Sequence, residues 1–254
     1  MYENIFQMNL LFTILAIPCF FLPTAGGIFD RGFKGFTLEH LFVLLFFASV
    51  GLGVIRYAQR SFTDLEQRWQ FGKLLSWAIF GVYMAWTALH LALGNYQLHE
   101  DLPLHLCNFC AVTLPIVFYT RNNILLQFYF YLVTAATTQA IITPHLDNGF
   151  PHYTFIKYWT VHCGLVISML YAVYVLDFRP TFRGIGIALI GTQVYLAFLW
   201  LMNSLLGANF GYIMKKPPVA SILDLMGEHY ILVSEGVGTV LFLVFWLAFR
   251  RTDK

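Results

Sequence analysis

Apolar residues along this chain come in long blocks that are separated by short polar stretches. Seven of these blocks approach the length of about 20 residues that a helix needs to cross a bilayer. Each backbone polar group in hydrocarbon must be bonded within its own segment, so only helices are expected. The pattern predicts an all-α, polytopic membrane helical bundle with seven core transmembrane helices, near residues 37–56, 72–93, 103–120, 123–142, 154–176, 184–206 and 230–249.

An eighth apolar segment, residues 5–22, precedes this core and is interrupted by Gln7, Asn9 and Pro18. It is predicted either to span the membrane or to lie as an interfacial or re-entrant helix. Since no repeat or low-complexity run divides the sequence, residues 1–254 are interpreted as a single transmembrane domain. Within it, residues 1–30 form an N-terminal extension and residues 33–250 form the seven-helix core.

The composition is typical of a membrane-embedded protein, because 59% of the residues are hydrophobic and only 11% are charged. A soluble domain carries about 25% charged residues, so this chain lacks the polar residues to cover a surface that faces water. The net charge of +2 is too small to indicate a nucleic-acid partner. Membrane lipids are therefore the expected partners, and the oligomeric state is left open.

Basic residues predict the orientation of the bundle, since cytoplasmic loops of membrane proteins are enriched in Lys and Arg. Most of the 15 basic residues fall on one side of the predicted spans. That side is predicted to be cytoplasmic, so the core would begin outside and end with a cytoplasmic C-terminus, in the cell's inner (cytoplasmic) membrane. The residues on that side are Arg56, Arg60, Arg68, Lys73, Arg121, Arg179, Arg183, Arg250, Arg251 and Lys254.

None of the eight histidines lies on that basic side. His162 lies inside its span, and the others lie at the opposite helix ends or in the loops there. At a rise of about 1.5 Å per residue, polar residues from four helices share a layer near the depth of phospholipid ester groups. Polar residues at such depth usually face the bundle and mark a functional site. The layer contains His40, His90, His105, Cys107, Asn108 and Asn203.

The stretch DLPLHLCNFC, residues 101–110, opens the third span and contains the main candidate for catalysis. Asp101 is predicted to cap this helix, with Pro103 in its first turn. Cys107 would then lie near the helix start, where a thiolate is favoured. A thiolate is a strong nucleophile that can carry an acyl group as a thioester.

The partners of Cys107 must come from other parts of the chain. His105 is only two residues away, so the two side chains point in different directions around the helix. The candidates for a base on other helices are His162, His90 and His40. His105 and Asn108 are three residues apart and are predicted to orient a lipid head group or stabilise an oxyanion. Lys215 and Lys216 are candidates for contact with lipid phosphate.

Two other interpretations of these residues stay open. Cys107 and Cys110 form a C-x-x-C pair, which is typical of thiol redox proteins, although both are also small residues suited to helix packing. His145, Asp147 and His152 are residue types that bind zinc, but a capped loop explains them more simply. No metal and no cofactor is predicted.

Five separated motifs run in order through about residues 33–250: FKGFTLEHL, LPLHLCNF, ITPHLDNGFPHYTFIKYWTVH, FRPTFRG and MNSLLGANFGYIMKKPPVASILDLMG. This series resembles the YwaF-like family of bacterial integral membrane proteins. The resemblance implies a seven-helix membrane fold. Distant eukaryotic relatives of that family look like phospholipid acyltransferases that use a cysteine in the equivalent helix. It therefore implies a nucleophile at Cys107, with His105 and His162 as further members of the site.

These observations favour a membrane-embedded lipid acyltransferase or acyl hydrolase. Cys107 would attack an ester, an imidazole would take up the proton, and Asn or His donors would stabilise the oxyanion. One alternative is a transporter or receptor for a small molecule or lipid with an outer vestibule, for which Glu235 and Gln193 are the embedded polar candidates. Another is a lipid hydrolase that depends on a metal held by His and Asp.

Overall fold

A computed structural model describes residues 32–144, 146, 148–216 and 226–250 of the chain. These residues form helices and connecting loops, and no strand occurs among them. We number the helices α1 (Leu38–Ser61), α2 (Leu65–Ala92), α3 (Leu98–Asp101), α4 (Leu106–Thr120), α5 (Asn123–Ile142), α6 (Tyr153–Val175), α7 (Phe182–Leu206) and α8 (Tyr230–Phe249). A π turn, Val133–Thr137, interrupts α5, and a 3-10 turn, Phe210–Tyr212, follows α7.

The predicted all-helical, polytopic membrane fold is confirmed. Six of the described helices are long and apolar enough to cross a membrane. The helix at the predicted third span, α4, is apolar but has only 15 residues. Its length is therefore about 22 Å, compared with about 30 Å for the hydrocarbon core of a bilayer. Residues 1–30, including the segment 5–22, lie outside the described residues, so the role of that segment stays a prediction.

Two helices extend past the ends that hydropathy predicted. α1 continues to Ser61 instead of residue 56, and α2 begins at Leu65 instead of residue 72. The added turns carry basic side chains, among them Arg60 and Arg68. Hydropathy identifies the apolar part of a helix, whereas the helical hydrogen-bonding pattern can continue into the aqueous interface, where polar side chains are solvated.

Short polar side chains and a left-handed glycine define several helix ends. The Thr37 hydroxyl accepts a hydrogen bond from the His40 amide at the start of α1 (3.4 Å). Asn122 Oδ1 accepts from the Ile124 amide at the start of α5 (2.8 Å). α7 ends at Gly207, whose φ of 63° lies in the left-handed region that favours glycine. Thr37 and Asn122 thus bond to amides that a helix start leaves unbonded, and Gly207 turns the chain away at the end of α7.

The helix α6 occupies the centre of the bundle. It packs against α1, α2, α4 and the π turn of α5. In its most apolar 18-residue window 72% of the residues are buried, whereas the value for α8 is 6%. Helices α1, α7 and α8 form the periphery and present large apolar side chains such as Leu45, Ile190 and Leu232. In a membrane these faces contact lipid.

Glycines allow α2 to approach its two main neighbours closely. A Cβ atom at Gly72 would lie 2.8 Å from the ring of Phe118 on α4, and one at Gly164 on α6 would lie 2.9 Å from Ile79 of α2. Both distances are shorter than ordinary carbon contacts. Small residues at helix contacts are the usual way in which membrane helices come close together.

The bundle has two chemically distinct ends. The histidine end, as we name it, carries His40, His90, His105 and His152 at the starts of α1, α4 and α6 and near the end of α2. The arginine end carries Arg60, Arg68, Arg121, Arg179 and Arg183 in the opposite turns and loops. The structure thus separates the same two groups that the sequence separates, while the compartment that each end faces stays a prediction.

Candidate functional site

The start of α4 differs from the sequence prediction. Asp101 does not cap this helix: it ends the short helix α3, and its Oδ2 accepts a hydrogen bond from the Gln97 amide (2.9 Å). His105 is the N-cap residue instead. The reason is Pro103, because a residue before proline avoids the helical conformation, and Leu102 is extended with a ψ of 144°. The chain therefore turns before α4 can begin at Leu106.

This later start places Cys107 at the second position of α4. The first helical hydrogen bond runs from the Phe109 amide to the His105 carbonyl (2.8 Å). The His105 side chain makes no capping bond, so the amides of Leu106, Cys107 and Asn108 have no acceptor in the described part of the chain. Free amides and the positive end of the helix dipole favour a negative charge at this position.

The nearest polar partner of Cys107 is Thr137 on α5. Their Sγ and Oγ1 atoms are 3.7 Å apart, and Thr137 is buried. Thr137 is the last residue of the π turn, and such turns are frequent at functional sites. Sequence reasoning missed Thr137, since a π turn leaves no clear periodic signal in a continuously apolar segment.

A lysine lies beside the nucleophile candidate. Lys157 Nζ, on α6, donates to Asn108 Oδ1 at 3.0 Å. The ammonium also lies over two aromatic rings of α2, 4.4 Å from the centroid of Trp86 and 5.3 Å from that of Tyr83. It interacts electrostatically with Cys107. Lys157 was not among the predicted site residues, although a lysine near the start of a predicted span is itself a sign of a functional site.

His162, on α6, keeps one ring nitrogen without a bonding partner among the described residues. Its Nδ1 lies 2.6 Å from the Tyr158 carbonyl oxygen. A carbonyl oxygen only accepts, so Nδ1 carries the hydrogen and Nε2 keeps its lone pair, with no bonding partner in the described ranges. The Tyr158 hydroxyl donates to the carbonyl of Ala140 (2.8 Å), one turn after Thr137. Tyr158 thus links the ring of His162 to the part of α5 that follows the π turn.

His105 lies on the other side of the start of α4, as its spacing from Cys107 predicted. The Gly211 amide donates to Nδ1 at 3.4 Å, so in the neutral ring the hydrogen sits on Nε2, which is a donor. The ring packs against Phe210 and Tyr212 at centroid distances of 5.4 and 5.3 Å. Burial raises the pKa of Tyr212, which keeps its hydroxyl neutral. Asn108 bonds to Lys157, and its predicted joint role with His105 toward a head group or oxyanion stays a prediction.

A groove opens between α2 and α6 at the histidine end. Its volume is about 340 Å³. Apart from Lys157, its wall is apolar or aromatic. The lining residues are Val82, Ala85, Trp86, Ala88, Leu89, Ala92, Tyr153, Ile156 and Lys157. The groove therefore connects the lipid-facing side of the bundle with the lysine that contacts Asn108.

Comparison with known protein families identifies the family to which this chain belongs. The model of the TMEM164 family matches residues 35–246 of the chain. The chain therefore belongs to the TMEM164 family. No curated protein matches it, and no solved structure does.

The assignment to the YwaF-like family was wrong, because the family model that covers this core is that of TMEM164. The quoted motifs are short, and each combines apolar residues with a few histidines, prolines or glycines. Such residues occur at the helix ends of many polytopic proteins, so their order along the chain did not separate one such family from another.

Other predicted site residues of this TMEM164-family chain have their polar atoms bonded to backbone. His40 accepts from the Phe36 amide (3.0 Å), and its Nε2 donates to the Ile141 carbonyl (2.9 Å). Asn203 bonds both backbone groups of Phe210. These side chains hold α1 to α5 and α7 to the following turn, respectively, and they do not face Cys107.

The remaining candidates make contacts of their own with other residues. His90 Nδ1 is 3.6 Å from Asp101 Oδ2, and its ring lies 4.3 Å from that of Trp86. Lys215 and Lys216 lie in the loop after α7, where the Lys216 ammonium is 5.6 Å from the ring of Tyr230. The structure thus places Cys107 against Thr137 of α5 and Asn108 against Lys157 of α6, while His162 bonds to Tyr158 of its own helix.

The alternative chemistries find limited support in the geometry. Cys107 and Cys110 are free thiols, and Cys110 is buried in the apolar core. His145 and Asp147 lie outside the described residues, while His152 accepts from the Thr154 amide (3.2 Å) as the N-cap of α6. Within the described ranges no three His, Cys, Asp or Glu side chains could hold a metal ion.

The two embedded candidates of the transporter hypothesis bond to each other. Gln193 Nε2 on α7 donates to Glu235 Oε1 on α8 at 3.0 Å, in an exposed position. This pair links two peripheral helices and does not lie beside Cys107 or in the groove.

Proposed function

We propose that this TMEM164-family protein is a membrane-embedded lipid acyltransferase or acyl hydrolase in which Cys107 is the nucleophile. The observation that carries the proposal is the position of Cys107 at the open start of α4, with the Lys157 ammonium nearby. Free amides and cationic neighbours both favour a thiolate at a helix start. The shallow membrane position suits a lipid ester as the substrate.

The reaction has two steps. The Cys107 sulfur attacks the carbonyl carbon of the ester, an S–C bond forms, and the C–O bond to the alcohol breaks. The resulting thioester is then attacked by an acceptor hydroxyl, which gives transfer, or by water, which gives hydrolysis. A new C–O bond forms, the S–C bond to Cys107 breaks, and the proton of the attacking hydroxyl passes through His162 to the Cys107 sulfur. Each step passes through a tetrahedral oxyanion, and the amides of Leu106 and Cys107 together with Lys157 supply positive charge to stabilise it.

His162 is the general base in this proposal. Its Nε2 lone pair accepts the thiol proton and later returns it to the oxygen of the departing alcohol. The Tyr158 carbonyl holds the ring in the required tautomer by bonding Nδ1–H. Thr137 lies 3.7 Å from the sulfur and orients the thiol.

The outer residues of the site bind substrate. His105 offers an Nε2–H donor on the opposite side of the helix start, which suits a phosphate or carbonyl oxygen of a lipid head group. His90, Lys215 and Lys216 surround the histidine end and contribute positive charge or hydrogen-bond donors there. His40 and Asn203 act by holding helices in place.

The orientation that we infer follows from the charge pattern. The arginine end faces the cytoplasm, which places the C-terminus there and the site in the opposite leaflet. Membrane lipids of that leaflet are then the substrates.

The test is mass spectrometry of the intact, purified protein after incubation with phospholipid vesicles. The expected result is a mass increase equal to one acyl chain, which hydroxylamine removes because it cleaves thioesters. Cys107→Ala should abolish the adduct, whereas the matched Cys110→Ala variant should retain it. His162→Gln should slow its formation by about 10²–10⁴-fold. An adduct that persists in Cys107→Ala would exclude this cysteine as the acyl carrier.

A further inference from the structure

The groove between α2 and α6 has the dimensions of a site for one lipid chain. Its wall follows α2 from Val82 to Ala92, a distance of about 15 Å. This is half of the roughly 30 Å hydrocarbon thickness of a bilayer, so the groove is as deep as one leaflet. Its volume of about 340 Å³ lies at the lower end of the usual range for ligand sites.

The groove is open to the membrane along one side. Ala85, Ala88 and Ala92 line it and are exposed. Their small side chains leave room between α2 and α6, where larger residues would close it. A lipid chain can therefore enter sideways from the bilayer without passing through water.

Two hydrogen-bond donors at the groove have no anion in direct contact, although the Asp101 carboxylate acts on the Lys157 ammonium electrostatically from a greater distance. Lys157 has no carboxylate within 4.0 Å among the described residues, and its ammonium is held by the neutral Asn108 oxygen and by aromatic faces. The side chain of Trp86 is only 9% exposed, and its Nε1–H has no acceptor in the described part of the protein. A cation that is removed from water without a counter-ion is strongly unfavourable. Both groups are suited to a negatively charged acceptor.

We propose that this groove binds an anionic membrane lipid, with one acyl chain along α2 and the negatively charged group at Lys157 and Trp86. The inference deepens the proposed function, because a lipid held there lies beside Asn108 and thus beside Cys107. The binding itself uses no atom of Cys107, so it can be measured independently of any acyl transfer.

The experiment measures lipid binding to the purified full-length protein in a neutral detergent. The probes share one C16 chain and differ in the head: palmitate carries a carboxylate, palmitoyl lysophosphatidate a phosphate, and monopalmitoylglycerol no charge. We expect one or both anionic probes to bind at least tenfold more tightly than the neutral one. The stronger anionic probe identifies whether a carboxylate or a phosphate is preferred.

Four variants assign the binding to the groove. Lys157→Met removes the charge but keeps an apolar stem, and it should abolish the preference for anions, while Lys157→Arg should restore it. Ala88→Phe fills the groove and should weaken the binding of all three probes at least tenfold. The matched control, Ala48→Phe, adds the same ring to an exposed alanine of α1 and should leave binding unchanged.

The outcomes distinguish lipid binding in the groove from the proposed catalysis at Cys107. Cys107→Ala should bind the anionic probes like the parent protein, whether or not acyl transfer occurs. Equal binding of charged and neutral probes by the parent protein would overturn the inference, as would an unchanged preference in folded Lys157→Met. If that variant does not fold, Ala88→Phe decides, and unchanged binding in this variant relative to Ala48→Phe would also overturn it.

Discussion

One substitution of Asn203 should show whether this residue anchors a loop or binds a lipid. It is only 1% exposed, near the end of α7. Its Oδ1 accepts from the Phe210 amide at 2.7 Å, and its Nδ2 donates to the Phe210 carbonyl at 3.0 Å. Phe210 and Gly211 in turn contact the ring of His105. Asn203→Leu should therefore loosen the 3-10 turn and release His105.

The expected loss of stability follows from the two bonds. Each buried backbone group that loses its partner costs about 1–3 kcal/mol. Water can reach the turn once it opens at the end of the bundle, so we take about 1–2 kcal/mol for each group and about 2–4 kcal/mol in total. For a chain of this length the melting temperature should fall by roughly 4–16 °C. Asn203→Asp keeps the acceptor but loses the donor, and about half of the effect is expected.

Thermal unfolding in detergent, followed by intrinsic fluorescence, measures this change. The control is Asn209→Ala, because Asn209 makes similar bonds to the backbone of Met214 and Lys215 in an exposed position. Water replaces those bonds, so the control should lose less than about 1 kcal/mol. Equal melting temperatures for Asn203→Leu and the control would refute the reasoning. Normal stability with lost lipid binding would restore Asn203 as a substrate residue.

Three further predictions test other parts of the structure. Gln127→Leu should lower the free energy of unfolding by about 2–4 kcal/mol, measured by denaturation in detergent, because this buried amide bonds two backbone groups of the loop before α7. Gln193→Leu should lower it by about 0.6–2 kcal/mol, since it removes the bond to Glu235 between α7 and α8; no change would make that contact incidental. Single cysteines at Gln97 and Asn148, in a background without other cysteines, should react with an impermeant maleimide on intact cells. Reaction only after permeabilisation would reverse the proposed orientation.

The helices could be predicted from the sequence because the bilayer imposes a length and a composition on each span. The predicted block 230–249 coincides with α8, and the block 123–142 coincides with α5. The errors occur where other forces act. The ends of α1 and α2 extend into the interface, and the start of α4 is set by the conformation that Pro103 imposes on Leu102.

The candidate site was less predictable, because it depends on contacts between helices. Cys107 and His162 were proposed from their chemistry and depth, but the contact of Cys107 with Thr137 requires the π turn, and the contact of Asn108 with Lys157 requires the packing of α4 on α6. Continuous apolarity hides which face of a helix is buried. The end of the bundle at which each polar residue lies is therefore readable from the sequence, whereas its partners are not.

The short length of α4 explains how a polar helix start comes to lie below the membrane surface. At about 22 Å, α4 is about 8 Å shorter than the hydrocarbon core. Its arginine end is fixed at the interface, because Arg121 forms an exposed ion pair with Glu66 at 2.5 Å and its guanidinium lies 5.3 Å from the ring of Trp69. The hydrogen bond to Glu66 raises the pKa of Arg121 and keeps it charged. If that end lies at the interface, the missing length falls at the other end, and the amides around Cys107 would lie about 8 Å inside the hydrocarbon boundary. The proposed function needs this position, because a lipid ester could then reach them from the side.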